Sequence, residues 1–449
     1  MTAIKTHTFS NGFRLVYEKS NNVLPISAVN VFCNVGSIHE TDDVRGASHM
    51  IEHMCFKGTK THKTAKEIFI EYDKIGAYFN AFTTKRYTAY VFKCSSKYID
   101  NSISILADMM LNSTFVNNEY DRERDVVAEE NIDNENDPED EIFMQSDKML
   151  YSGSSFEKPV DCVSYHERGS LPRNIVFEFY KKYYVPENML LSIVTDMSFE
   201  KVKRAIENSV FVRGGGHRIG ALVNRTNVIH DLRPQKNIQF EMINKRGVEN
   251  IVLTIGFRVC NIHNSDRWKL DILQNILSGT MSGRIFMKLR EKNGLIYSSD
   301  IETNYYDKTG DFVIFTQTDR HLVFKGKDGV GPGLLPSFVA LLNDLVKNGV
   351  DKRELEITKG YMKGNMLIEM EDINTTCEYN GSEHLMLDDA EDVVPFSEIY
   401  KRCYENITCE QMNEVIRKYL RRELMSVCIL GEKPPSETLV VKEFNKFLG

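Results

Sequence analysis

The chain has 449 residues, with Lys+Arg 56 against Asp+Glu 64, a formal charge of −8 with His neutral. That acidic balance argues against a general nucleic-acid coat, which needs a basic face, and 42% hydrophobic with 27% charged residues excludes disordered and collagen-like chains. At roughly 150 residues per domain the length exceeds what one core serves, and two large domains are expected.

The elements read in chain order mix strands and helices. Thr8 to Val16 sets Asn11-Gly12 between two alternating stretches, a hairpin signal. Ile26 to Val35 is an apolar strand, followed by a helix from about Gly46 to Phe56 that Gly58 closes as the C′ residue. Thr88 to Cys94 reads as a strand, Ile99 to Leu111 as a helix, and Asn118 to Asn134 as a long charged helix. Gly214-Gly215-Gly216 reads as a linker, after which strand (Ile238 to Asn244), strand (Asn250 to Val259) and helix (Ser265 to Leu277, ended by Gly279) repeat the opening order. The expected architecture is α+β: two tandem domains, 1–213 and 226–449, joined by a linker at 214–225.

No run approaches the ~18 apolar residues that span a bilayer. Met1 to Ser10 contains neither an apolar signal core nor an Arg-rich presequence, and the nine cysteines are odd in number with no C-x-x-C pair. A protein of the reducing cytoplasm, with no membrane and no nucleic-acid partner, is the expectation.

His49-Met50-Ile51-Glu52-His53 lies on the helix before Gly58. Histidines at i and i+4 share a helix face and can reach one tetrahedral metal. Glu52, on nearly the same face, suits proton removal from a metal-bound water. A hydrolytic site also needs a third protein ligand and one open position. Glu129 and Glu130 on the charged helix are the candidate donors, and Glu123, seven residues before Glu130, faces the same way and can orient a histidine.

The segment His49 to Thr59 closely resembles the inverted H-x-x-E-H motif of the pitrilysin-type (M16) metallopeptidases, a family in which it looks similar to mitochondrial processing peptidase and short bacterial homologues. The resemblance extends to Asn80-Ala81-Phe82-Thr83, Arg124 to Glu130, Tyr184 to Met189, Met281 to Arg284 and Leu289 to Ser298. It implies a zinc endopeptidase with one Zn2+ per chain, held by His49, His53 and Glu130, with Glu52 as general base and Glu123 orienting a ligand. Arg290 and Tyr297 are implied to assist substrate binding and the transition state, and Asn80, Ala81, Phe82 and Thr83 to form a strand edge that binds unfolded peptide. The family fold implied is a duplicated domain, each copy a mixed, mostly antiparallel sheet with helices on one side. In the second copy Leu270, Leu273 and Gln274 fall where the first has His49, Glu52 and His53.

Two features depart from the pattern. Arg86 stands where relatives carry Glu, so the site environment or an edge contact is expected to differ. The acidic run after Glu130 keeps Asp140 but has Met144 at a second acidic position, which favours a general preference for basic peptides over strict arginine-directed cleavage. A chain of this length resembles half of an enclosing clamshell, so a homodimer is expected, a heterodimer being the alternative. The competing functional reading is a catalytically silent structural or partner subunit of the same family.

Overall fold

The computed structural model describes residues 4–160, 171–214, 232, 234–387 and 392–449. Apart from Gly214, the linker expected at 214–225 lies outside the described residues.

The first sheet has six strands, β1 (Lys5–Thr8), β2 (Arg14–Lys19), β3 (Ile26–Cys33), β4 (Tyr78–Thr83), β5 (Thr88–Ser95) and β6 (Met189–Thr195), in the order β1-β2-β6-β3-β5-β4. The second has β7 (Gln239–Asn244), β8 (Asn250–Val259), β9 (Ser299–Tyr305), β10 (Gly310–Asp319) and β11 (Met425–Gly431), in the order β7-β11-β8-β10-β9. Without β1 the two orders are the same: first strand, last, second, fourth, third. Each has one parallel pair, β2 with β6 and β7 with β11, and antiparallel pairs elsewhere. This shared topology is the duplication that the repeated element order anticipates.

The Asn11-Gly12 signal marks a real turn, but a longer one than the dipeptide suggests. Thr8 pairs with Arg14, so five residues form the loop. Asn11 Oδ1 accepts the N–H of Phe13, and Gly12 sits at φ +86, where a Cβ would also come within 2.8 Å of the Glu187 side chain. Gly58 differs too. The helix α1 (Ala47–Cys55) ends at Phe56 as its C-cap, and Gly58, at φ +142, is instead the place where the chain passes close to the Lys63 carbonyl.

In the first unit, one sheet face packs against α1, α2 (Ala65–Ile75), α3 (Ile99–Asn112) and the helix Arg173–Tyr183 in a single apolar cluster. The opposite face, with Phe32, Ala28 and Val194, is covered by the helix Ile373–Met386. Burial on both faces explains why β3 and β6 read as continuous apolar runs and not as alternating ones. Gly381 of that helix lies against Phe32, where a Cβ would meet the ring edge at 2.1 Å.

The compact units are discontinuous in sequence. One takes Met1–Asp133, Lys158–His230 and Glu369–Ser397, and the other takes Asn134–Glu157, Asp231–Ile368 and Glu398–Gly449. A single cut near residue 214 therefore assigns two helices to the wrong body. The helix α5 (Pro138–Leu150) packs Ile142 and Phe143 onto Val252, Phe315 and Leu430 of the second sheet, while Ile373–Met386 serves the first. No helix among the described residues is long and apolar enough to cross a membrane.

Candidate metal centre

The helix α1 is anchored by one face. Met50, Ile51, Met54 and Cys55 are at most 3% exposed, and burying each contributes roughly 1.5–3 kcal/mol relative to exposure. His49, Glu52, His53 and Phe56, at i, i+3, i+4 and i+7, are thereby left on the opposite, half-buried face.

The N-terminus of α1 is held from outside the helix. Gly46 occupies the N-cap at φ +82 and brings no side chain, so the first orphan N–H groups are satisfied by Glu40, which accepts from Gly46 N and Ser48 N at 2.7 Å each. Burial raises the Glu40 pKa to about 7 from an ordinary 4.5, against the opposing pull of those two N–H groups, the Ser48 hydroxyl and Lys158. Because the folded value lies above the unfolded one, the stability linked to this proton is fully present below about pH 4.5 and is lost as pH rises through about 7. Glu40→Gln is expected to destabilise the fold by about 1–3 kcal/mol through one mismatched N–H. It is also expected to flatten the stability profile across that window, both effects being read by urea unfolding at a series of pH values.

The helix α4 (Asn117–Asn136) is highly charged and is supported along its surface by Arg122–Glu119 and Arg124–Asp121 pairs at 3.0 and 3.2 Å. It buries Tyr120, Glu123 and Val127 and directs Glu123 and Glu130 toward α1. His49 Nε2, His53 Nε2 and Glu130 Oε2 then form a triangle: 3.2 Å between the imidazole nitrogens, 3.4 Å from His53 to Glu130 and 3.8 Å from His49 to Glu130. Tetrahedral zinc with ligands at ~2.0–2.1 Å requires donor spacings near ~3.4 Å, so this donor set fits such an ion. Among the described residues it is the one group of three or more metal-type side chains that converges in this way. Glu129, the other candidate from spacing, is exposed and outside it.

Glu123 completes the arrangement. The Nδ1–H of His53 donates to Glu123 Oε2 at 3.1 Å, which fixes the tautomer whose Nε2 lone pair faces His49 and Glu130. Burial works against protonation of His53, but the Glu123 hydrogen bond and the charges of Glu130, Glu52 and Glu123 outweigh it and raise its pKa. The site is therefore built to hold positive charge. Glu52 is fixed by Thr83 of β4, whose hydroxyl donates to Glu52 Oε2 at 2.6 Å. Beside these groups a cavity of about 250 Å³ is lined by Phe56, Phe69 and Phe79, with Glu52, Lys57 and Glu123 among its polar groups.

Of the remaining sequence candidates, Asn80, Ala81, Phe82 and Thr83 lie on β4, the outer strand of the first sheet. Arg290 and Tyr297 belong to the second unit. The guanidinium of exposed Arg290 lies 5.1 Å from the Phe286 ring, and Tyr297, 54% exposed, donates its hydroxyl to Asp319 at 2.9 Å. Leu270 and Leu273, the second-unit counterparts of His49 and Glu52, are fully buried, and the Gln274 amide donates to the Ile301 carbonyl. Arg86 is only 3% exposed and is bonded to Asn34 Oδ1 and to His39 Nε2. Burial, followed by the Arg86 charge, pushes His39 down to about 3, which leaves a neutral imidazole to accept that bond. Arg86 thus fastens the turn between β4 and β5 from inside the fold.

The chain thus has two α+β units of one topology, of which the first carries H-x-x-E-H together with a glutamate from a separate helix that converges on it. Residues 15–163 match the family model described as Insulinase (Peptidase family M16), and residues 170–361 match the Peptidase M16 inactive domain. The chain belongs to peptidase family M16. It is 30% identical over 384 residues to an uncharacterized zinc protease, YmxG, of Bacillus subtilis, covering 86% of this chain and 88% of that protein. An uncharacterized zinc protease of Mycobacterium leprae is 25% identical over 450 residues, covering 96% and 92%. In fold the chain resembles a protease from Helicobacter pylori, with a TM-score of 0.83 at 20% identity over 96% of this chain and 100% of that one. It also resembles the first half of the periplasmic protease PqqL from Escherichia coli, with a TM-score of 0.76 at 16% identity over 99% and 96%.

Sequence reasoning passed over Glu40 and Lys57. Lys57 carried a signal, since it is four residues beyond His53 on the same helical face. Glu40 carried none, because it reaches the α1 N-terminus from six residues before the N-cap.

Proposed function

We propose that the chain is a zinc endopeptidase acting on extended, unfolded peptides, with one zinc per chain. The convergence of His49, His53 and Glu130 within 4.8 Å, with Glu52 on the same helix face, carries this reading. Zinc, when bound there, supplies a Lewis acid for the scissile carbonyl and lowers the pKa of a water toward ~7. Glu52 takes the water proton and returns it to the leaving amine, and the Thr83 hydroxyl holds its carboxylate in position for both transfers.

The outer edge of β4 suits a peptide backbone. Thr84 N donates to Tyr87 O at 2.8 Å, and the register of β4 on β5 then directs the backbone groups of Phe82 and Asn80 inward. Those of Phe79, Ala81 and Thr83 point to the open edge. Ala81 N–H donates to the Asn80 side-chain oxygen at 2.9 Å, a place a peptide carbonyl can take in an added strand. Main-chain pairing of this kind selects for an extended chain, and the phenylalanine-walled cavity beside Glu52 selects for one large apolar side chain next to the scissile bond.

The test is cleavage of unstructured, basic fluorogenic peptides by the purified chain. Cleavage is expected to be abolished by a chelator, restored by zinc, and at least about tenfold faster for peptides carrying Phe or Leu beside the cut than for those carrying Gly or Asp. No cleavage of any peptide by the zinc-loaded chain would favour a silent subunit of the family.

A further inference from the structure

We infer that Lys57 is a positioning residue of the metal site: it holds Glu123 in the orientation that aims His53, and so it sets zinc affinity without touching the ion. The inference rests on the zinc reading above. Glu123 is buried to 7% exposure and its two oxygens are divided between two donors, Lys57 Nζ on Oε1 at 2.6 Å and His53 Nδ1 on Oε2 at 3.1 Å. A carboxylate held on one oxygen alone can turn about its last side-chain torsion, which is broad and roughly two-fold. A second, charge-assisted bond on the other oxygen removes that freedom and fixes the plane in which the imidazole N–H must lie.

Lys57 is placed for this by α1 itself. Its backbone N–H donates to the Met54 carbonyl at 3.2 Å, a tight i to i−3 turn just beyond the C-cap Phe56, and this turn brings Lys57 to the same residue of α4 that His53 meets. Its charge also lies at the helix C-terminus, where a cation is favoured. The ammonium is therefore bound between two elements whose spacing also sets the metal triangle, since Glu130 is carried by the same α4 as Glu123.

Lys57 also lines the cavity beside Glu52, so the rival role is direct contact with substrate. Zinc affinity separates the two. It is measured by competition with a chromophoric chelator on the full chain, for the wild type and for Lys57→Met, Lys57→Arg, Glu123→Gln and the double variant Lys57→Met/Glu123→Gln. Lys57→Met is expected to weaken zinc by about 10- to 100-fold, the range typical of groups that orient a ligand. Lys57→Arg is expected to restore most of that loss, and adding Lys57→Met to Glu123→Gln is expected to change affinity by less than about twofold, because the lysine acts through the glutamate. The visible spectrum of the cobalt-loaded chain should shift in Lys57→Met and return in Lys57→Arg, a signature that loss of general stability does not produce. An unchanged zinc affinity in Lys57→Met, with or without a raised KM, overturns the inference and leaves the zinc site standing. Absence of specific zinc binding by the wild type overturns both.

Discussion

Replacing Glu52 with glutamine is expected to reduce kcat by about 10²- to 10⁴-fold, the usual contribution of a positioned general base, while zinc content stays at that of the wild type. The side chain keeps its shape, and its amide oxygen can still accept the Thr83 hydroxyl that now bonds Glu52 Oε2 at 2.6 Å. Glutamine cannot take a proton. The metal donors His49, His53 and Glu130 form a triangle that does not include Glu52, so removing the carboxylate charge leaves the donor set whole. Single-turnover cleavage of a fluorogenic peptide and metal analysis of the same preparation test both halves together. Retained activity would give the base role to another group. Lost zinc would make Glu52 a metal residue and not a base.

Much of this arrangement is legible in the sequence because of helical spacing. His49, Glu52 and His53 share a face because α1 buries Met50, Ile51 and Met54 on the other, and the same periodicity separates Glu123 from Glu130 on α4. Several elements and the repeated strand-strand-helix order along the chain were equally accessible, with Asn250 to Val259 coinciding with β8, whereas the spatial order of strands within each sheet was not. The division of the chain into bodies was not. Ile373–Met386 buries Thr376, Cys377, Asn380 and His384 against the first sheet, with Ser192 donating to the Cys377 carbonyl and Asn380 to Glu18. A helix that buries polar groups has no apolar stripe, and nothing local says that its partner strands lie 185 residues earlier at Ser192 and 362 earlier at Glu18. Glu40 escaped notice for a related reason, since its role is to reach back-bone N–H groups that belong to a helix it does not begin.

Mixing Glu52→Gln chains with Arg290→Ala chains, each nearly inactive alone, is expected to restore roughly a quarter of wild-type activity if, in the homodimer expected from the sequence, Arg290 serves the zinc site of the other copy. The metal donors all lie in the first compact unit, whereas Arg290 and Tyr297 belong to the second, whose matching helix carries buried Leu270 and Leu273 in place of ligands. Both side chains are exposed: Arg290 has a stacking contact with Phe286, and Tyr297 a single bond to Asp319, so they are presented at a surface and not consumed in the core. Arg290 alone is worth about 10²- to 10³-fold if it stabilises the developing oxyanion, which is why its alanine variant is nearly silent. If the pair serves the zinc site of a second copy, a mixed dimer contains one site with both Glu52 and Arg290 intact and one with neither. Random pairing makes roughly half of all dimers mixed, each with one working site of two. If the pair serves its own chain, every site in the mixture lacks one of the two groups and activity stays at the sum of the parents. Subunit exchange followed by a peptide-cleavage assay separates these outcomes, with co-purification of differently tagged chains as the control for exchange itself.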